Sequence, residues 1–186
     1  KGEQLGTVYG SKWIRTQQQL EETIRAGALT GSASDYVKNE EGYYVRQTQY
    51  HTKAEVPLKA TSCSNADCTQ TATVVKIGDV NPDFNFGLRS TATWKGLSLG
   101  GTLTWTKGGN IYNYTRQWPF NELRDKVIDQ SSKPDPGTCP ALSVDPSCPY
   151  KTGRKPTTYY STFYNNFDPN DYFVENGTYL RLRELS

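Results

Sequence analysis

The stretch from Phe84 to Thr106, FNFGLRSTATWKGLSLGGTLTWT, decides how this chain is read. Phe84, Phe86, Leu88, Ala92 and Trp94 alternate with Asn85, Gly87, Arg89, Thr91 and Thr93. Beyond Lys95 and Gly96 the alternation resumes as Leu97, Leu99, Leu103 and Trp105 against Ser98, Thr102, Thr104 and Thr106. A period of two marks strands with one apolar and one polar face. The two-residue Lys95-Gly96 connection makes the pair a hairpin. With Trp94 opposite Leu97, Ala92 meets Leu99, Leu88 meets Leu103 and Phe86 meets Trp105, so the apolar side chains fall on one shared face.

From Phe84 to Trp94 the chain covers roughly 33 Å at ~3.3 Å per residue. A tilt near 45° reduces this to about 24 Å, the height of a lipid-facing band. Phe84, Phe86 and Trp105 lie at one end and Trp94 at the other, as aromatic girdles at two membrane interfaces are placed. The same alternation also serves a sheet that faces a protein core in water, so periodicity leaves both environments open.

Outward from the hairpin, Leu5–Ile14 (LGTVYGSKWI) reads as a strand and leads into a helix signal. Thr16 caps it, Gln19 completes a capping box, Leu20 and Ile24 share a face and Gly27 stops it. The segments 16–76 and 107–171 are polar and rich in Ser, Thr and Tyr, and read as long loops, with a strand pair near Tyr43–His51 and a short helix over Asn121–Ile128. A last strand, 178–186, follows the Asn176-Gly177 turn. The expected fold is therefore all-β: antiparallel strands at about 5–14, 84–94, 97–106 and 178–186 of one partial domain, 1–186, in a large transmembrane barrel. In a barrel, short turns face the periplasm and long loops the outside, which places 16–76 and 107–171 outside.

Composition agrees with an interface more than with a large aliphatic core. Of 186 residues only 34% are hydrophobic, while 12% are aromatic, with 13 Tyr and 4 Trp; mean hydropathy is −0.75. Basic residues (21) and acidic residues (19) are interspersed, which excludes the basic stripe of a nucleic-acid binder. No apolar run reaches the ~18 residues that a transmembrane helix requires, so only strands could take this chain across a membrane. With Lys1 first and no Met, the sequence reads as a piece of a longer polypeptide. The cysteines form two local pairs, Cys63 with Cys68 and Cys139 with Cys148, expected as disulfide-closed loops in an oxidising compartment. Their spacing does not suit a four-thiolate zinc site.

Three motifs resemble SusC/RagA-type TonB-linked outer-membrane proteins: GEQLGTVYGSKW near the start, IGDVNPDFNFGLRSTATWKGLSLGGTLTWTKGGNIYNYTRQW in the middle and DYFVENGTYLRLRELS at the end. The middle motif is the most specific. The resemblance implies a TonB-dependent barrel of about 22 strands with a plug, a SusD-like surface lipoprotein as partner and contact with TonB. The plug and the TonB-contacting segment are missing from this sequence. The expected setting is a bacterial outer membrane in contact with its lipid, or the cell surface for a released fragment that self-associates through open strand edges. A soluble carbohydrate-binding sandwich is a third reading.

No catalytic constellation can be assembled around His51, the single histidine, so no enzyme activity is expected. Asp168, Asn170 and Asp171 offer oxygen ligands but too few for a calcium loop, so no metal or other cofactor is expected. Tyr112, Tyr114, Arg116 and Trp118 of IYNYTRQW are the candidates for sugar or peptide contact, since flat rings stack on sugar faces and a guanidinium donates hydrogen bonds. Arg89, Arg181 and Arg183 are the candidates for the lumen face.

Overall fold

The computed structural model describes residues 5–133 and 154–186. In chain order the strands are β1 (Thr7–Gly10), β2 (Tyr36–Lys38), β3 (Tyr44–Arg46), β4 (Ser62–Cys63), β5 (Thr71–Ala72), β6 (Val75–Asp79), β7 (Pro82–Trp94), β8 (Leu97–Gly108), β9 (Asn110–Tyr112), β10 (Val174–Asn176) and β11 (Tyr179–Leu185). The helices are α1 (Gln17–Arg25), α2 (Tyr114–Asn121) and α3 (Thr157–Tyr164). They divide into two compact units, one of residues 1–8, 78–112 and 174–186, the other of residues 9–77 and 113–173.

The first unit is built on the three-stranded antiparallel sheet β11-β8-β7. Its register has Trp94 opposite Leu97, Ala92 opposite Leu99, Leu88 opposite Leu103 and Phe86 opposite Trp105, the pairs that the alternation predicts. Lys95 and Gly96 make the turn with φ of 47° and 87°, the left-handed pair that a tight hairpin requires. On the far side of β8, Leu180 lies opposite Trp105 and Leu182 opposite Leu103. A bulge then shifts the register, so that Leu185 lies opposite Gly101 and Glu184 opposite Thr102. Without that extra residue, Leu185 would point to the polar face; with it, Leu180, Leu182 and Leu185 all join the apolar one.

The second unit holds the core. Trp13, Ile14, Leu20, Tyr36, Val45, Phe120, Tyr159, Tyr160, Phe163 and Phe173 are buried in it. Phe163 on α3 is a hub: Tyr172 stacks on it at 4.1 Å between centroids, and Trp13 and Tyr43 approach at 5.0 Å each. Helix α1 carries the predicted box, with the Gln19 backbone N–H donating to Thr16 Oγ1 at 3.3 Å and the Thr16 N–H donating to Gln19 Oε1 at 3.2 Å. Leu20 packs with Ile14, Tyr36 and Ala60, and Ile24 lies against that cluster. Fully buried Asn170 closes the unit, accepting from Trp13 Nε1 at 3.1 Å and donating to the Phe163 carbonyl at 3.0 Å.

The all-β expectation of a large transmembrane barrel is overturned. The fold is mixed α/β, with three α-helices, one three-stranded and four two-stranded sheets, and no closed barrel among the described residues. The physical reason lies in the segments read as extracellular loops, 16–76 and 107–171. Among their described residues, Tyr36, Tyr43, Phe120, Tyr159, Tyr160 and Phe163 turn inward and build a core, so that these segments form a packed unit and not rim loops around strands. The strand expected over 5–14 shortens to β1, after which Trp13 and Ile14 enter that core. The helix expected over Asn121–Ile128 forms earlier, as α2, followed by a 3-10 turn at Lys126–Ile128.

Candidate functional site

Helix α2 starts where Asn113 accepts a hydrogen bond from the Arg116 backbone N–H at 2.9 Å. One turn apart on it, Tyr114 and Trp118 share a face, as residues i and i+4 do. The opposite side is buried through Gln117 and Phe120. The Gln117 amide donates to the carbonyls of Tyr164 at 2.8 Å and Asp168 at 3.2 Å, which ties α2 to the turn after α3.

That turn is unusual. Asn165, Asn166 and Phe167 have consecutive φ values of 52°, 51° and 65°, in the left-handed region that a bulky residue such as Phe adopts only under constraint. The result is to set Phe167 among three other rings. Trp118 lies 4.8 Å away at an interplanar angle of 31°, Tyr114 5.9 Å away at 30°, and Tyr164 meets it edge-on at 4.4 Å. Trp118 and Tyr114 keep 51% and 52% of their surface exposed, so this is an open aromatic platform and not part of the core.

Of the residues expected to contact substrate, the structure brings together Tyr114 and Trp118. Tyr112 lies on β9, in the other unit, opposite Val174. Arg116 points away from ligand duty: its Nε donates to Asp125 at 3.1 Å and its guanidinium lies 5.7 Å from the rings of Phe120 and Tyr172. Phe167 and Tyr164 were missed, although their segment is visibly Tyr- and Phe-rich, because nothing in sequence spacing announces three successive left-handed residues. Arg89 and Arg181 lie opposite Thr102 and Thr104 on the polar side of the sheet, and Arg183 is the extra residue of the bulge. Phe84, Phe86, Trp94 and Trp105 are all exposed on the apolar side, with Phe84 edge-on to Trp105 at 4.9 Å. Cys63 and Cys68 are disulfide-bonded. Cys139 and Cys148 lie outside the described residues.

The oxygen-bearing residues of the Asp168–Asp171 turn are structural. Asn170 is the buried bridge described above, and Asp171 pairs with Arg15 and accepts from the Trp13 backbone N–H at 3.1 Å. Burial pushes the Asp171 carboxyl upward, against the pull of Arg15. Among the described residues no group of three or more His, Cys, Asp or Glu is placed to hold a metal.

A charged cluster invisible to sequence spacing lies deeper in the same unit. The Lys155 side chain, fully buried, donates to Glu55 Oε1 at 2.6 Å and Glu40 Oε2 at 2.7 Å. Asn39 donates to Glu55 at 3.0 Å and to the Tyr159 hydroxyl at 2.9 Å. His51 is not isolated: its ring meets Glu40 and stacks on Tyr50 at 3.8 Å. Partial burial raises the Glu40 carboxyl, but hydrogen bonds from His51 and Lys155 outweigh it and hold the group at about 2. Burial and the neighbouring Glu40 push the Tyr50 phenol up to about 12. Each charge has partners at hydrogen-bonding distance, the condition under which a buried ion pair is tolerated. The cluster clamps 40–55 to the start of α3.

No protein-family model matches the chain, nor does any curated protein or any solved structure.

Proposed function

We propose that this chain acts in nutrient uptake at a bacterial outer membrane, as part of a SusC/RagA-type TonB-linked transporter that takes in oligosaccharide or peptide with a SusD-like lipoprotein. The observation that carries this reading is the two-faced sheet of the first unit. Trp94 and Leu97 are each 71% exposed, and Phe86, Leu88, Leu99, Leu180, Leu182 and Leu185 are exposed beside them on one face. Contiguous apolar surface of this kind marks a binding or membrane surface. Aromatic rings stand at both ends of it, as at two lipid interfaces, while Arg89 and Arg181 stay on the polar side. The role is binding and passage, not chemistry.

Flotation with phospholipid vesicles tests it. The chain is expected to rise with the vesicles, Trp94→Asp to remain in the aqueous fraction, and Arg89→Asp to float like the parent. A parent chain that stays in water, or equal behaviour of the two variants, contradicts the reading.

A second reading is favoured by one specific feature. In the order β11-β8-β7, the outer edges of β7 and β11 have no strand beside them among the described residues. Unpaired ladder groups recruit further strands, so copies could join edge to edge into an oligomer or fibre. Particles that grow by subunit addition without lipid or detergent favour this alternative.

A further inference from the structure

We infer that Lys155 and Asn39 become joined by an intramolecular isopeptide bond that the chain forms by itself, with Glu55 carrying the protons. The step occurs once per chain and turns over no substrate, so it goes beyond the uptake reading above and does not rest on it.

Three observations assemble the reaction. The three side chains meet in the interior of the second unit, with Glu55, Lys155 and Asn39 at 0%, 3% and 5% exposure. A single carboxylate oxygen, Glu55 Oε1, accepts from Lys155 Nζ at 2.6 Å and from Asn39 Nδ2 at 3.0 Å. It thus touches both the nitrogen that attacks and the nitrogen that leaves, the position from which a general acid and base works. Asn39 Oδ1 in turn accepts the backbone N–H groups of Tyr43 at 3.0 Å and Glu41 at 3.2 Å. Those two donors fix which way the amide faces and form an oxyanion hole for its carbon.

The bond forms as follows. Glu55 takes one proton from the Lys155 ammonium, and the neutral Nζ, stripped of water by burial, adds to Asn39 Cγ. Negative charge develops on Oδ1, where the Tyr43 and Glu41 N–H groups already point. Glu55 passes its proton to Nδ2, removes a second proton from Nζ and delivers that one also. The Cγ–Nδ2 bond breaks, ammonium departs, and a Cγ–Nζ amide remains with Glu55 ionised as at the start. No oxidant or other reactant is consumed. Glu40 opposes the first step, because its Oε2 accepts from Nζ at 2.7 Å and favours the ammonium. Its side chain is 41% exposed and also shared with His51 and Tyr50, so Glu55 is the carboxylate that governs the amine from the buried side.

Intact mass of the folded full chain, aged at neutral pH and then reduced, is the test. The parent is expected to be lighter than its sequence by one ammonia, and tandem spectra to contain a branched peptide that joins Asn39 to Lys155. Lys155→Arg and Glu55→Gln are expected to keep the full sequence mass. Asn39→Asp should lose one water in place of ammonia, and Glu40→Gln should form the bond faster. The parent's own mass decides even where a variant fails to fold, which circular dichroism detects. A folded parent at full sequence mass, loss of ammonia located at another residue, or undiminished cross-linking in Glu55→Gln overturns the proposal.

Discussion

The two units of this chain use aromatic and aliphatic residues in opposite ways. In the second, Phe163 gathers Trp13, Tyr43, Tyr159 and Tyr172 around it and excludes water. In the first, Phe86, Leu88, Trp94, Leu97 and Leu99 all remain exposed along one side of a hairpin. The contrast shows that apolar content alone does not say where a core lies. What decides is whether the chain can fold a second layer over the apolar side. The second unit does so with three helices. Among the described residues no layer covers the hairpin's apolar face, so its stability in water rests on ladder hydrogen bonds and turn geometry.

That contrast can be broken in graded steps. The largest effect is expected from Phe163→Ala, which leaves a cavity in a fully buried cluster and lowers stability by about 3–5 kcal/mol. Leu88→Ala, on the exposed face, should stay within about 0.5 kcal/mol in water. Denaturant melts of the two variants check this, and similar losses would erase the distinction. Lys155→Ala strands the buried Glu55 carboxylate without its cation and should cost about 3–5 kcal/mol.

Alkaline pH should act on the second unit selectively. Burial, with Glu41 or Glu40 adjoining, pushes the phenols of Tyr159, Tyr160 and Tyr50 above their usual value near 10. Above that pH the unfolded chain releases these protons while the native unit retains them, so stability falls as pH rises. Ultraviolet titration is expected to show tyrosines that ionise only together with unfolding. Acid works through Glu40. Its depressed carboxyl contributes stability above about pH 4.5 that is lost as pH falls towards about 2; because Glu40 is partly exposed, solvent screening keeps this effect small. A moderate change is Gly96→Ala in the hairpin turn, where φ is +87° and a Cβ is disfavoured; a loss of about 1 kcal/mol is expected, visible as faster amide exchange in β7 and β8.

Legibility in the sequence followed the range of the interactions. The hairpin register could be read from Phe84–Thr106 because its pairs are local and period two fixes which side chains share a face. The cap of α1 could be read from Thr16 and Gln19 for the same reason. What could not be read was set by distant partners. Nothing near Trp13 indicates that its indole N–H reaches Asn170, or that Lys155 reaches Glu40 and Glu55. Those long-range contacts turned segments expected as rim loops into a core, and a barrel-like pattern into a mixed fold. Half of the platform, Tyr114 and Trp118, was visible as an aromatic motif; Phe167 depends on backbone angles that composition does not announce.

The central claim is that the hairpin's apolar side meets lipid while the second unit's core does not. Quenching by bromine-labelled phospholipid in vesicles tests it most directly, using chains that retain a single tryptophan at position 94, 105 or 13. The account predicts strong quenching of Trp94 and Trp105 and little of Trp13. Equal quenching at all three positions, or none at 94 and 105, would contradict it.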